Sequence, residues 1–203
     1  IYTLSLHDAL PIYQPGGSPY DTSTPAASKT RTQLRVEEQV RELLAVALKE
    51  SVPVLATGFG LEVLADYLGT APTTRFAELI GSSEIFLTAE GREDPLLAGM
   101  PEAFTAFVGH HEGVGQVPAG ATLLATSPDC PVQMLRVGSC VYGTQFNPEL
   151  DVDRFLARLS IYRDAGYGDP GLIDDLLGEA RTSGSTHEAG RLIRAFVEYF
   201  SQS

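Results

Sequence analysis

The amino-acid sequence predicts an α/β domain with a mostly parallel central sheet, arranged in three layers. Apolar residues recur at helical spacing over residues 32–50. A short apolar run at 52–57 is followed at once by a glycine-rich turn and a second helical pattern. A strand, a tight turn and a helix in direct succession are typical of a sheet covered by helices. The length of 203 residues fits one domain.

The elements are predicted in order along the first third of the chain. The first helix runs from Thr32 to about Glu50, where Pro53 is close enough to end it. Val52–Thr57 is apolar and rich in β-branched residues, which favours a buried strand. Gly58-Phe59-Gly60 then turns the chain into a helix over residues 61–68.

The rest of the chain changes from strand-like to helical patterns near residue 151. Short β-branched runs separated by polar or Gly/Pro turns predict further strands. These are Glu84–Thr88, Thr105–Gly109, Thr122–Thr126, Val132–Val137 and Cys140–Phe146. Helices are predicted over residues 151–165, 170–181 and 186–199, with Thr182–Ser185 as a linker. The apolar face of the last helix must be buried somewhere.

Charge and cysteine content exclude several classes of function. The net charge is −12, and the densest basic group is only Lys29, Arg31 and Arg35. Binding to nucleic acid or to an anionic membrane surface is therefore not expected. No apolar run is long enough for a membrane span. Two cysteines are too few for a disulfide framework, so we expect free thiols and a cytoplasmic location.

Two interpretations apply to residues 1–12, an adapter-derived segment and a native strand. Their sequence, IYTLSLHDALPI, matches the translation of a sequencing-adapter read-through that recurs at the ends of fragmentary gene models. From this match we expect the segment to be non-native and the native domain to begin near Tyr13 without its own N-terminus. The alternative is a native strand, because Tyr2, Leu4 and Leu6 alternate.

Four segments, in this order and spacing, resemble the class I glutamine amidotransferase domain. They are the glycine pair before Ser18-Pro19, the turn at 52–64, the segment 107–112 and Thr144–Glu149. Ser127–Gln133 also resembles stand-alone members similar to the amidotransferase half of GMP synthase. The resemblance covers residues 13–150 and implies a flavodoxin-like fold, with 151–203 as a helical C-terminal extension packed on it.

The resemblance also implies a site chemistry. In the family a cysteine on a sharp strand-to-helix turn attacks the glutamine side-chain amide, and a histidine oriented by a glutamate moves the proton. By position, Gly58 stands at the nucleophile, Asn147 at the general base and Glu149 at the orienting carboxylate. Only Glu149 matches the family. Glycine carries no nucleophile and asparagine does not titrate, so loss of glutamine hydrolysis is expected.

The resemblance also implies which residues bind the substrate or stabilise the oxyanion. Expected substrate-binding or oxyanion positions are Gly17, Ser18, Phe59, Gly60, Glu62, His110 and Glu112. We favour an inactive, glutamine amidotransferase-like protein with a binding, regulatory or scaffolding role. The alternatives are an active glutaminase, which would need misread bases, and a hydrolase of altered chemistry using Glu62, Glu149 or His110.

Expected partners follow from the same resemblance, and no cofactor or metal is expected. The ligand is expected to be glutamine or a related small molecule, and a synthetase or another protein is the expected partner. His110 and His111 are adjacent, and neighbouring residues on a strand point to opposite faces, so they rarely share a metal. Cys130 and Cys140 are interpreted as buried small hydrophobic residues.

Overall fold

The computed structural model describes residues 11–14, 16, 19–164, 171, 173–176, 178 and 188–201, in which a seven-stranded sheet is flanked by helices. The strands are β1 (Ile12–Gln14), β2 (Val54–Thr57), β3 (Glu78–Leu87), β4 (Ala103–His110), β5 (Ala121–Thr126), β6 (Met134–Val137) and β7 (Val141–Thr144). The helices are α1 (Arg31–Glu50), α2 (Phe59–Tyr67), α3 (Ala89–Glu93), α4 (Val152–Asp164) and α5 (Gly190–Ser201). The α/β class is confirmed.

The sheet is mixed in its pairing. Its strand order is β1-β2-β7-β6-β5-β3-β4. The β1–β2 and β2–β7 pairs are parallel, and the other four pairs are antiparallel. Five of the seven strands consequently point the same way, with β3 and β6 reversed. A short connection explains the reversal of β6, because the turn at 138–140 between β6 and β7 permits only an antiparallel hairpin.

Two apolar cores lie on opposite faces of the sheet, which gives the predicted three layers. Val54 and Ala56 of β2 face the core that contains α1 and α2, whereas Leu55 faces the other core. This alternation follows from the two-residue period of a strand. Leu192 and Phe196 of α5 fill the second core and are each 1% exposed.

A smaller core attaches α4 to the edge of the sheet. The rings of Phe107 on β4 and Phe155 on α4 stack, with centroids 3.8 Å apart. Leu159 is fully buried in the same cluster. In the part of the chain that the structure describes, no helix combines the length and apolar character required to cross a bilayer.

Several predicted boundaries need correction. Strand β3 begins six residues earlier than the predicted Glu84, and α2 begins at Phe59, ahead of the predicted residue 61. Ile12–Gln14 is a strand, whereas the sequence predicts a non-native segment up to residue 12 and a loop at Gln14. Helix α3 is not predicted by the sequence patterns. The Tyr2–Leu6 run and the Thr182–Ser185 linker lie outside the described residues.

Candidate functional site

The sharp turn between β2 and α2 is the centre of the candidate site. Gly58 has φ 48° and ψ −115°, a conformation that side-chain-bearing residues rarely adopt. Its N–H donates to the Thr144 carbonyl oxygen at 2.7 Å, and its own carbonyl oxygen accepts from the Glu62 N–H at 3.1 Å. A strained strand-to-helix turn of this kind is the geometry that exposes a nucleophile in hydrolases.

Parallel pairing brings the second predicted segment to this turn. Thr57 pairs with Thr144 at the carboxyl ends of β2 and β7, so residues 58 and 145–149 leave the sheet at the same edge. Asn147 is 7% exposed, and its N–H donates to the Phe107 carbonyl oxygen at 3.0 Å. We call Gly58, Asn147 and Glu149 the elbow site.

Glu149, which the resemblance predicts at the position of the orienting carboxylate, is bound to other groups. It accepts a hydrogen bond from the Tyr13 hydroxyl at 2.8 Å and lies 3.8 Å from Arg158 Nη2. Burial, followed by lesser effects that include the neighbouring Glu149 carboxylate, raises the pKa of Tyr13 above its ordinary range. The hydroxyl therefore stays protonated and can donate. Glu149 ties β1 to α4 through these contacts.

The oxyanion position is occupied by the chain itself. The N–H of the residue after the nucleophile position is an oxyanion donor at such turns. Here the Phe59 N–H donates to the Gly16 carbonyl oxygen at 3.3 Å. A Cβ added to Gly58 would lie 3.0 Å from that same oxygen. Gly17 and Ser18, also predicted at this position, lie outside the described residues.

A buried pair of carboxyl groups lies behind the turn. Glu62 accepts from the Gln145 amide nitrogen at 3.0 Å. Burial, with smaller contributions from Glu112, raises the pKa of Glu62 to about 8, so its carboxyl is protonated at neutral pH. Glu112 is 1% exposed and accepts from the backbone N–H groups of Thr22 and Ser23. The loop at 21–23 therefore closes over this pair.

A second polar cluster lies on the other side of Glu112. The Nδ1 of His110 lies 2.8 Å from the Glu112 carbonyl oxygen, and its Nε2 lies 2.8 Å from Glu78 Oε2. Ser127 and Gln133 also donate hydrogen bonds to the Glu78 carboxylate. We call Glu78, His110, Ser127, Cys130 and Gln133 the Glu78 cluster; sequence reasoning missed it because Glu78 and Cys130 lie far from His110 in the chain.

The predicted site residues are thus divided among three sets of contacts. Glu62 and Glu112 lie together, His110 belongs to the Glu78 cluster, and Glu149 contacts Tyr13 and Arg158. Gly60 packs against the Gln14 side chain, close enough that a Cβ there would overlap it. Cys130 and Cys140 are free and buried, as expected.

Comparison with known proteins confirms the resemblance. GMP synthase (glutamine-hydrolysing) from Clostridium novyi is 30% identical over 118 residues, which are 58% of this chain and 21% of that protein. The separate glutamine-hydrolysing subunit of GMP synthase from Methanocaldococcus jannaschii is 27% identical over 114 residues, 56% of this chain and 59% of that protein. The chain thus spans about a fifth of the full-length GMP synthase and less than two thirds of the separate glutamine-hydrolysing protein.

Solved structures share the fold. A glutamine amidotransferase from Thermotoga maritima superposes with a TM-score of 0.70 at 23% identity, covering 93% of this chain and 76% of that one. A glutamine amidotransferase from Methylobacillus flagellatus gives a TM-score of 0.68 at 17% identity, covering 100% and 80%. No family model matches the chain.

Proposed function

We propose that this chain is a glutamine amidotransferase-like domain that does not hydrolyse glutamine and serves a binding, regulatory or scaffolding role. The family resemblance rests on the GMP synthase relatives and the shared fold. The proposed loss of activity rests on the presence of glycine at position 58 of the strained turn. Without a side chain there, no covalent bond to a glutamine carbonyl carbon forms at this position.

The neighbouring groups do not replace the missing nucleophile. The Thr57 hydroxyl is fully buried and donates to the Gln14 carbonyl oxygen at 3.2 Å. Burial raises the pKa of the Cys130 thiol to about 12, which keeps it protonated and unreactive at neutral pH. Asn147 supplies no titratable group for proton transfer. Inactivity is therefore favoured over the alternative of a working glutaminase.

The alternative of altered acid–base chemistry is also disfavoured. It would use Glu62, Glu149 or His110 as acid–base groups in the same pocket, but each of them has different buried or half-buried partners. The raised pKa of Glu62 arises from burial and from Glu112, and Glu149 is not among its causes. Two clefts of about 500 and 400 Å³ lie elsewhere on the described surface, and none of the elbow-site residues lines either.

The ligand and partner that we propose are those that the family suggests. The ligand is glutamine or a related small molecule, bound near Phe59, Gly60 and Glu112, and the partner is a synthetase or another protein. Opening of the loop at 21–23 would expose the buried carboxyl pair to such a ligand. The two free thiols fit a cytoplasmic location. We also propose that residues 13–150 are the amidotransferase-like unit, with 151–203 as its extension.

Ammonia release from L-glutamine tests the proposal. We expect that ammonia release does not increase with the concentration of the full chain. The same result is expected for Gly58→Ala. Calorimetric titration with L-glutamine then separates a binding domain from an inert one. Concentration-dependent ammonia release by the wild type, whether or not it persists in Gly58→Ala, would contradict the proposal.

A further inference from the structure

We propose that the Glu78 cluster is a metal site, in which Cys130 Sγ, His110 Nε2 and a Glu78 carboxylate oxygen bind one zinc-like divalent transition metal ion. The inference is independent of the elbow site and of any glutamine chemistry.

The three donors converge from separate parts of the chain. Glu78 begins β3, His110 ends β4, and Cys130 lies in the connection between β5 and β6. One ligand atom from each lies within 4.8 Å of the other two. Thiolate, imidazole and carboxylate together are the donor set that suits Zn²⁺, which takes four ligands at about 2.0 to 2.3 Å. Binding of the ion would displace the proton of the Cys130 thiol into solvent.

The orientation of His110 favours a metal ligand. A carbonyl oxygen only accepts, so Nδ1 donates to the Glu112 carbonyl oxygen at 2.8 Å and Nε2 is directed at Glu78. Histidines that bind metals usually donate their second ring nitrogen to a carbonyl or carboxylate in this way. A metal would lie between Nε2 and Glu78, and tetrahedral geometry would widen their 2.8 Å separation by about half an ångström.

A supporting layer of hydrogen bonds surrounds the donors. Gln133 and Ser127 donate to Glu78, and the Ser127 hydroxyl accepts from the Cys130 N–H at 3.0 Å. Such outer partners hold metal ligands in place. The Gln133 amide oxygen is buried and accepts no hydrogen bond within the described part of the chain. The cluster therefore holds an oxygen acceptor that a cation or a bound water would satisfy.

The same residues do not form a catalytic triad. A cysteine protease-like arrangement needs one imidazole nitrogen facing the thiol and the other facing the carboxylate. In His110 the two nitrogens face the Glu112 carbonyl and Glu78. The Cys130 thiol is fully buried, with the Val132 carbonyl oxygen 3.7 Å away. A buried structural ion is the use that this geometry permits.

A surface cleft borders the cluster at Glu78. A cleft of about 400 Å³ is lined by Glu78 and Asp129, and also by Arg75 and Ser82. Glu78 therefore lies both at the cleft and among the proposed metal ligands, and Asp129 places a second acidic residue at the cleft. The net charge of −12 further favours cation entry.

Cobalt provides the direct test, because a thiolate bound to Co²⁺ gives a characteristic near-ultraviolet band. The full chain, stripped with EDTA, is titrated with Co²⁺ and then with Zn²⁺ as competitor. We expect one Co²⁺ per chain, the thiolate band, four-coordinate visible bands and displacement by Zn²⁺. Cys130→Ser should abolish the thiolate band and weaken Zn²⁺ binding by about 100-fold or more, since outer partners alone are worth about 10- to 100-fold.

Cys140→Ser is the matched control, because Cys140 is the other buried free thiol and packs in a different core. It should keep both the band and the affinity. Glu78→Gln should keep the thiolate band and weaken binding, and Cys130→Ala, which leaves no polar group at the buried position, repeats the thiolate test if Cys130→Ser proves unfolded by circular dichroism. A wild-type chain that gives no thiolate band, or a band that persists in Cys130→Ser, would overturn the proposal and leave a purely hydrogen-bonded cluster.

Discussion

The elbow site and the Glu78 cluster differ in what each retains. At the elbow site the backbone has the strained turn of a nucleophile, with φ 48° at Gly58, but the side chains that would react are absent. In the Glu78 cluster reactive side chains meet within 4.8 Å, but both ring nitrogens of His110 are already engaged. Backbone geometry and side-chain chemistry are thus separable, and a fold alone does not determine an activity.

The largest effect is expected at Glu78, whose buried carboxylate faces His110. Its removal leaves the buried Gln133 amide and the His110 ring nitrogen without their acceptor, which together cost about 3 to 5 kcal/mol at about 1 to 3 kcal/mol for each unsatisfied group. Glu78→Gln should therefore lower the free energy of unfolding by about that amount, measured by urea denaturation with EDTA present. A loss below about 1 kcal/mol would show that Glu78 is not the buried acceptor of a hydrogen-bond network, and the stated difference between the two regions would not hold.

The next effect is expected at Gly58 itself. Gly58→Ala should cost about 2 to 4 kcal/mol, because a left-handed conformation and contact with the Gly16 carbonyl are both unfavourable for a Cβ. Gly69 is the matched control, since it also has positive φ (85°) but a Cβ there would meet nothing within 4 Å. Gly69→Ala should cost only the conformational part, about 1 to 2 kcal/mol. Equal losses would show that the turn is not crowded.

Glu62 links the two regions and should make stability depend on pH. Its pKa is raised to about 8 in the folded chain, whereas an unfolded glutamate titrates near 4.3. The folded state then binds the extra proton between about pH 4.5 and 8, so stability falls as pH rises, by about 1.4 kcal/mol per pH unit from this group. Glu62→Gln should flatten the profile across that window.

The control for charge loss is Glu38→Gln, at an exposed position on α1. Urea denaturation at pH 5, 6, 7 and 8 gives the slopes of the three chains. If Glu62→Gln keeps the wild-type slope, Glu62 is not the buried protonated group described above.

The smallest effect is expected at Glu149. Its contacts are a half-buried hydrogen bond from Tyr13 and a long ion pair with Arg158 at 3.8 Å. Glu149→Gln should cost about 1 kcal/mol, since such contacts contribute little in net terms. A loss as large as that of Glu78→Gln would remove the distinction between the two regions.

The fold could be predicted from the sequence because the patterns that indicate it are local. The helix at 31–50 and the strand–turn–helix at 54–67 follow from apolar spacing and glycine placement. Strand β3 is longer than its sequence pattern predicts. Residues 79–84 are half-buried or exposed, and the pairing register is irregular between Glu78 and Gly81. Such a segment shows no clean alternation of polar and apolar residues.

The elbow site was easier to anticipate than its surroundings. The resemblance indicated Gly58 and Asn147, and it also named Glu62 and Glu112 without predicting that the two carboxyl groups are neighbours. The Glu78 cluster joins residues up to 55 positions apart, between Glu78 and Gln133. Pairings of this kind depend on sheet register, which a single sequence does not display.

Restoring the missing side chains tests whether the turn keeps a working nucleophile geometry, which requires glutamine to displace the Gly16 carbonyl oxygen from the Phe59 N–H. Ammonia release from L-glutamine is measured for the wild type and for the double variant Gly58→Cys/Asn147→His, after circular dichroism shows that both are folded. We expect no ammonia release by the wild type. In the double variant we expect ammonia release to exceed background by about 100-fold or more, since triad members act as a unit. Activity in the wild type, or a folded double variant that remains inactive, would contradict it.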